Sequence, residues 1–193
     1  MPRVKLFKEE EALQKAMQLF WKKGYHATSM QDLVDTLGIN RASLYATFGG
    51  KKELFDRSLA LYRKTNRQLI TDFLESQTSV KTGIFKLFEQ AVDDITADQE
   101  GKGCFVVNTT TELAAQDQQL CLLLSENKSN FESVFYEYLR TGLEKGEISK
   151  EKDIKAIAAF LFTLYNGLKV VGKIKPDKEA LMASVRAGLA ALD

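Results

Sequence analysis

Proline is nearly missing. The only two are Pro2 and Pro176, which leaves 173 consecutive residues without a rigid helix breaker and favours an all-helical chain. Cysteine is as scarce: Cys104 and Cys121 cannot build a disulfide framework, and neither stands at a zinc-ligand spacing from His26, the only histidine. No Ser-His-Asp or Cys-His set is visible, there is no glycine loop that could cradle phosphate, and there is only one histidine, so an enzyme is not expected. No metal site and no cofactor are expected either. No run approaches the ~20 apolar residues that a bilayer demands. Met1 to Glu11 is charged and lacks the apolar middle of a secretory signal, so the expectation is a cytoplasmic protein with no membrane contact.

What is present is an ordinary globular composition. The 193 residues are 45% hydrophobic and 27% charged, enough for one body with a small attached module and wrong for a disordered tail. The net charge of +1 hides an asymmetry. Residues 1–57 carry ten Lys/Arg against seven Asp/Glu, while residues 58–193 carry seventeen against nineteen. The front end is therefore the better candidate for binding a polyanion.

Hydrophobic spacing predicts a first helix over 5–23, with Leu13, Ala16, Met17 and Phe20 on one face, ending before Gly24. Thr28 stands three before Gln31 and Ser29 three before Asp32, so a side-chain oxygen there can cap a second helix that Gly38 stops. Asn40 can cap a third, short helix over 41–47, closed by Gly49-Gly50. A fourth runs unbroken over 51–75, with Leu54, Phe55, Leu59, Tyr62 and Leu69 at helical spacing. Further helices are predicted over 79–97, 104–115, 117–145, 151–173 and 177–192.

Residues 28–47 have the proportions of a helix-turn-helix, whose second helix can enter a major groove of double-stranded DNA. Leu33, Leu37, Ile39 and Leu44 would fix the angle between the helices. Thr28 and Lys51 fall at helix starts, where backbone amides attract phosphate, and the Tyr45 hydroxyl can donate to one. Arg41, Ala42, Ser43 and Thr47 are the candidates to read base edges. A helical interaction module that binds a protein partner instead of DNA is the alternative.

The stretch Gly24-Tyr-His-Ala-Thr-Ser-Met-Gln-Asp-Leu33, followed by Leu37-Gly-Ile-Asn-Arg-Ala-Ser-Leu-Tyr-Ala-Thr-Phe-Gly-Gly-Lys-Lys-Glu-Leu-Phe55, resembles the DNA-binding module of TetR-type transcriptional regulators. Gly103-Cys-Phe-Val-Val-Asn-Thr-Thr-Thr-Glu-Leu113 is similar to an element of one regulatory-domain branch of that family. The resemblance implies an all-helical homodimer with a three-helix DNA module over 1–50 and a helical-bundle domain for effector binding and dimerisation over 51–193. It puts Thr28, Arg41, Tyr45 and Lys51 at the family's DNA-contact positions. The expectation is a repressor released from a palindromic operator by a small molecule, the switch being a body shape, favoured by effector binding among helices 79–173, that tilts helix 51–75. Ala42-Ser-Leu-Tyr-Ala-Thr-Phe48 stands where the family often has Gly-Ser-Leu-Tyr-His-Tyr-Phe, so the operator sequence does not transfer.

In the remainder, helix 151–173 is apolar almost all round and helix 177–192 is rich in Ala and Gly, which together suit a four-helix interface between two copies. Phe88, Phe131, Phe135, Phe162 and Tyr165, with Phe85 and Tyr138, form an aromatic supply for an effector pocket, and Asn108, Thr109 and Glu112 are its candidate polar groups. Plain core is the other reading of these rings. Cys104 and Cys121, at the starts of adjacent helices, leave open a thiol-based redox-responsive regulator.

Overall fold

The computed structural model describes residues 7–193, so residues 5 and 6 of the expected first helix lie outside the described residues. The described residues form helices and no strand. Contacts divide the chain into two units, one ending at Thr65 and the other spanning Asn66–Asp193.

The first unit holds α1 (Glu9–Lys23), α2 (Met30–Leu37), α3 (Arg41–Phe48) and the beginning of α4 (Lys51–Glu75). Three acids, Glu9, Glu10 and Glu11, open α1, and Lys22 and Lys23 close it, matching the helix dipole at both ends. Gly38 ends α2 in the left-handed conformation at φ 65°, which a residue with a Cβ enters only with strain. Ala12, Ala16, Phe20, Leu33, Leu37, Leu44 and Phe48 are buried where the three helices meet.

The contact division at 65/66 falls within α4, and the reason is packing. Leu54, Phe55, Leu59 and Tyr62 of α4 are buried, with the Phe55 ring edge-on to Phe20 at 5.2 Å and Tyr62 edge-on to Trp21 at 4.9 Å. Glu9 of α1 accepts from the guanidinium of Arg57, tying the same two helices at the surface. The first turns of α4 thus complete the small unit's core.

The second unit contains the end of α4, then α5 (Val80–Ala97), α6 (Phe105–Leu113), α7 (Gln118–Glu144), α8 (Ile154–Ile174), α9 (Lys178–Leu189) and a short 3-10 turn, Ala190–Leu192. Asp or Ser caps most of these helices: Ser79 for α5, Asp117 for α7, Asp153 for α8 and Asp177 for α9. Asp153 moves the start of α8 three residues past the expected 151. Helix α5 is central and packs on α7, α8 and α9, while α7 and α8 lie along one another. Phe88, Phe135, Leu139, Leu161 and Val185 are fully buried between them, each side chain stabilising by ~1.5–3 kcal/mol relative to exposure. A Cβ at Gly172 of α8 would collide with Ile95 of α5, so the glycine permits that close approach.

By length and composition α8 is long and apolar enough to cross a membrane, a test that the core helix of a bundle also passes. It carries Lys155, Lys169 and Lys173, and Ile154, Ala158, Leu161, Tyr165, Leu168 and Gly172 are buried in the bundle.

Candidate nucleic-acid interface

The corner formed by α2 and α3 is held by reciprocal caps. The Ser29 hydroxyl oxygen accepts from the Asp32 amide at 3.0 Å, and Asp32 accepts from the Ser29 amide at 2.7 Å. Lys23 at the end of α1 donates to the same carboxylate at 2.6 Å. Lys23 first, and then the Ser29 hydroxyl and amide, hold the Asp32 carboxyl well below the usual carboxylate range. Asn40 caps α3, its side-chain oxygen accepting from the Ser43 amide at 2.8 Å.

These caps fix the face that α3 offers. Leu44 and Phe48 point inward and are buried, and Arg41, Ala42, Tyr45 and Ala46 are exposed, with Ser43 and Thr47 half-buried beside them. Tyr45 is 47% exposed, unusual for a ring in a small module. Ala46 was missed by sequence reasoning, although its place four residues after Ala42 puts it on the same face. The face is nearly free of acids, carries one guanidinium, and presents small side chains that allow a close approach.

Thr28 differs from the other candidates because it is fully buried, with its hydroxyl donating to the Gly24 carbonyl at 2.6 Å. Its side chain holds the loop between α1 and α2. Lys51, the first residue of α4, is half-buried and lies over the ring of Tyr25, its Nζ 4.4 Å from the centroid. Between α3 and α4, Gly50 is buried; a Cβ there would lie 3.6 Å from the Tyr45 ring and 2.9 Å from the Glu53 carboxylate.

In the second unit, Phe88 stacks with Phe135 at 6.5 Å and meets Tyr165 edge-on at 5.7 Å, and Phe131 and Phe162 are 6.3 Å apart. Four of these five rings are buried and join the aliphatic core, and Phe162 packs against it. Phe85 and Tyr138 pack against the same core. Asn108 donates to the Lys102 carbonyl at 2.7 Å and accepts from Lys173 at 3.1 Å, and Glu112 is half-buried on α6. Thr109 is buried, its hydroxyl without a hydrogen-bond partner among the described residues. An open groove of about 710 Å³ lies elsewhere, lined by Lys128, Glu132 and Tyr136 of α7 and by Lys152, Ile154 and Ala159 at the start of α8.

The thiols have different surroundings. Cys121 is exposed, and Cys104 is buried at the N-cap of α6. The Lys169 ammonium lies over the Tyr165 ring at 4.1 Å. Burial works against its charge, but Tyr165, Cys104 and Asp94 outweigh that effect and raise its pKa above the ordinary lysine value.

Residues 12–57 match the family described as bacterial regulatory proteins, tetR family, and residues 82–188 match the tetracyclin repressor-like C-terminal domain. The chain is 31% identical to the HTH-type transcriptional regulator YezE of Bacillus subtilis (strain 168), with the whole of both chains covered. It is 30% identical to the HTH-type transcriptional repressor ComR of Escherichia coli (strain K12), over 93% of this chain and 86% of that one. Among solved structures, a cysteine-substituted form of the TetR family regulator CifR, complexed with 26 bp double-strand operator DNA, aligns with a TM-score of 0.87. It is 31% identical, with 99% of this chain and all of the other covered.

Proposed function

The chain belongs to the tetR family of bacterial regulatory proteins, which are DNA-binding transcriptional regulators, and from that premise we propose a homodimeric repressor that leaves a palindromic operator when a small effector binds. The observation that carries this reading is the exposed face of α3, where Arg41, Ala42, Ser43, Tyr45 and Thr47 stand clear of the module's core. These residues enter a major groove, Tyr45 and Lys51 hold phosphates, and Thr28 supports the loop from behind. The two half-sites lie one helical turn, ~34 Å, or a multiple of it apart. CifR, the relative on operator DNA, supports the same partner. The relatives are regulators, and the chain acts as a reader rather than a catalyst.

Dimerisation is supported by an uncharged row along α8. Ala156, Phe160, Thr163, Gly167, Val170, Val171 and Ile174 recur at three- and four-residue steps and are exposed, Ile174 to 82%. Ala180, Ala183 and Ala187 of α9 are exposed, as are Ala190 and Ala191 of the short turn that follows it. Two copies cover these surfaces with a four-helix interface. Light scattering at micromolar concentration checks this: the expected mass is twice the 21.7 kDa of one chain.

The effector binds the second unit beside the half-buried Phe162, with Asn108 and Glu112 as polar contacts; Phe88, Phe131, Phe135 and Tyr165 are packed in the core behind it and are reached only in a shape of the unit that opens there. It acts by preferring one shape of that unit, which alters the separation of the two reading heads. A second reading, a thiol-based redox-responsive regulator, rests on Cys104 at the N-cap of α6. Peroxide would oxidise it to a sulfenic acid while itself being reduced to water, and the oxidised regulator would release DNA. Unchanged operator affinity after mild peroxide treatment overturns that reading.

Charge change tests the central proposal. Arg41→Ala combined with Lys51→Glu weakens DNA binding by roughly 1–3 kcal/mol per lost contact and flattens its salt dependence. A protein-interaction module would show neither change.

A further inference from the structure

Lysine at the first position of α4 has a flexible four-carbon stem, and an unrestrained ammonium loses rotamer freedom when it settles on a phosphate. In this chain the stem is not left to itself. The Lys51 Nζ lies 4.4 Å from the centroid of the Tyr25 ring, within the range of a cation–π contact. Tyr25 follows Gly24, which turns the chain out of α1 at φ 83°, and the ring is only half-buried. Behind it stand two fully buried rings. Phe20 of α1 is stacked at 6.4 Å and Phe55 of α4 is edge-on at 4.9 Å. Phe20 and Phe55 are themselves edge-on at 5.2 Å, so the three rings brace one another from two helices and the intervening loop. The buried side of Tyr25 is rigid, and its outer face carries the cation.

We infer that Tyr25 is a positioning residue for DNA binding, its ring face holding the Lys51 ammonium in place for a backbone phosphate at the edge of the helix-turn-helix. This rests on the reading of Lys51 as a phosphate contact. It extends that reading to a residue that acts through Lys51. The ring pre-orders the lysine, so less freedom is lost when the duplex arrives, and the effect is independent of base sequence because a phosphate carries none.

The test is a double-mutant cycle on the full chain, read as affinity for mixed-sequence duplex DNA across a salt series, with thermal melting of each variant alongside. Tyr25→Phe keeps the π face and is expected to bind within twofold of the parent. Tyr25→Leu keeps an apolar side chain but loses the face, and is expected to weaken binding about two- to fivefold. In a Lys51→Ala background the same Tyr25→Leu change is expected to have no further effect on binding. A fluorinated phenylalanine at position 25, equal in shape but with a poorer π face, repeats the loss without disturbing the packing should Tyr25→Leu melt early. Equal losses with and without Lys51, or full affinity with the fluorinated ring, would overturn the inference while leaving Lys51 as a phosphate contact. If Lys51→Ala alone changes neither affinity nor salt slope, the underlying reading of Lys51 has failed instead.

Discussion

The two units spend their side chains in opposite ways. In the first unit the exposed residues of α3, Arg41, Ala42 and Tyr45, lie outside the core on a helix whose start is set by the Asn40 cap, next to a helix capped by Ser29. In the second unit the rings are inside, in one core with Leu139, Leu161 and Val185, and the outward row on α8 is apolar. On the proposed reading, a duplex is met by a few side chains held at fixed angles on a short helix, whereas an effector and a second copy are met by surfaces that many sequences can build. Precision is concentrated in about forty residues at the front, and bulk is concentrated behind.

Removing bulk should therefore cost the most. Phe88→Ala, at a fully buried ring of α5, is expected to destabilise the protein by about 3–5 kcal/mol in urea unfolding followed by circular dichroism. A loss under about 1 kcal/mol would mean that this core collapses easily around the gap and that the contrast between the units is overdrawn.

Removing a cap is a smaller and more local event. Ser29→Ala is expected to cost roughly 1 kcal/mol, with DNA affinity falling as α2 frays. If stability falls but affinity stays, the capping box stabilises the corner without aiming α3.

Acid should reach both units through one carboxylate each, with a smaller effect. Asp32 is held below its ordinary 3.8, by Lys23 first and then by Ser29. Glu147 is held below its ordinary 4.5 by the Ser79 hydroxyl, against some desolvation, with help from the Val80 and Lys81 amides. Each carboxylate has a lower pKa folded than unfolded. Its contribution is present above those ordinary values and is lost as pH falls through them towards the folded-state pKa. Stability measured against pH should drop on the acid side, less steeply in Asp32→Asn and Glu147→Gln. Unchanged slopes in both variants would remove this link.

The same contrast governs what could be read from the chain. Start signals were local and legible: Ser79, Asp117 and Asp177 cap helices expected at 79, 117 and 177. Asp153 was passed over because Glu151 and Lys152 fit a helical pattern equally well, and only its bonds to the Lys155 and Ala156 amides single it out. The exposed face of α3 was legible because short helical spacing sorts Leu44 from Arg41 and Tyr45. Thr28 was harder, since a hydroxyl that bonds back to Gly24 and one that reaches outward look alike in sequence. Tyr25 over Lys51 and Lys169 over Tyr165 differ from each other in kind. The second is a one-turn neighbour on α8, but the first joins residues 26 positions apart and depends on the packing of α1 against α4. The contact division at 65 has no mark in the sequence for the same reason, because α4 continues through it without a break.

The most direct measurement is selection of duplexes bound by the full-length protein from a random pool, at low ionic strength and again at higher salt. The account predicts enrichment of an inverted repeat whose half-sites are one helical turn or a multiple apart, bound by a dimer, with affinity falling steeply as salt rises. Failure to enrich any sequence, with no retention of duplex even at low salt, would contradict it.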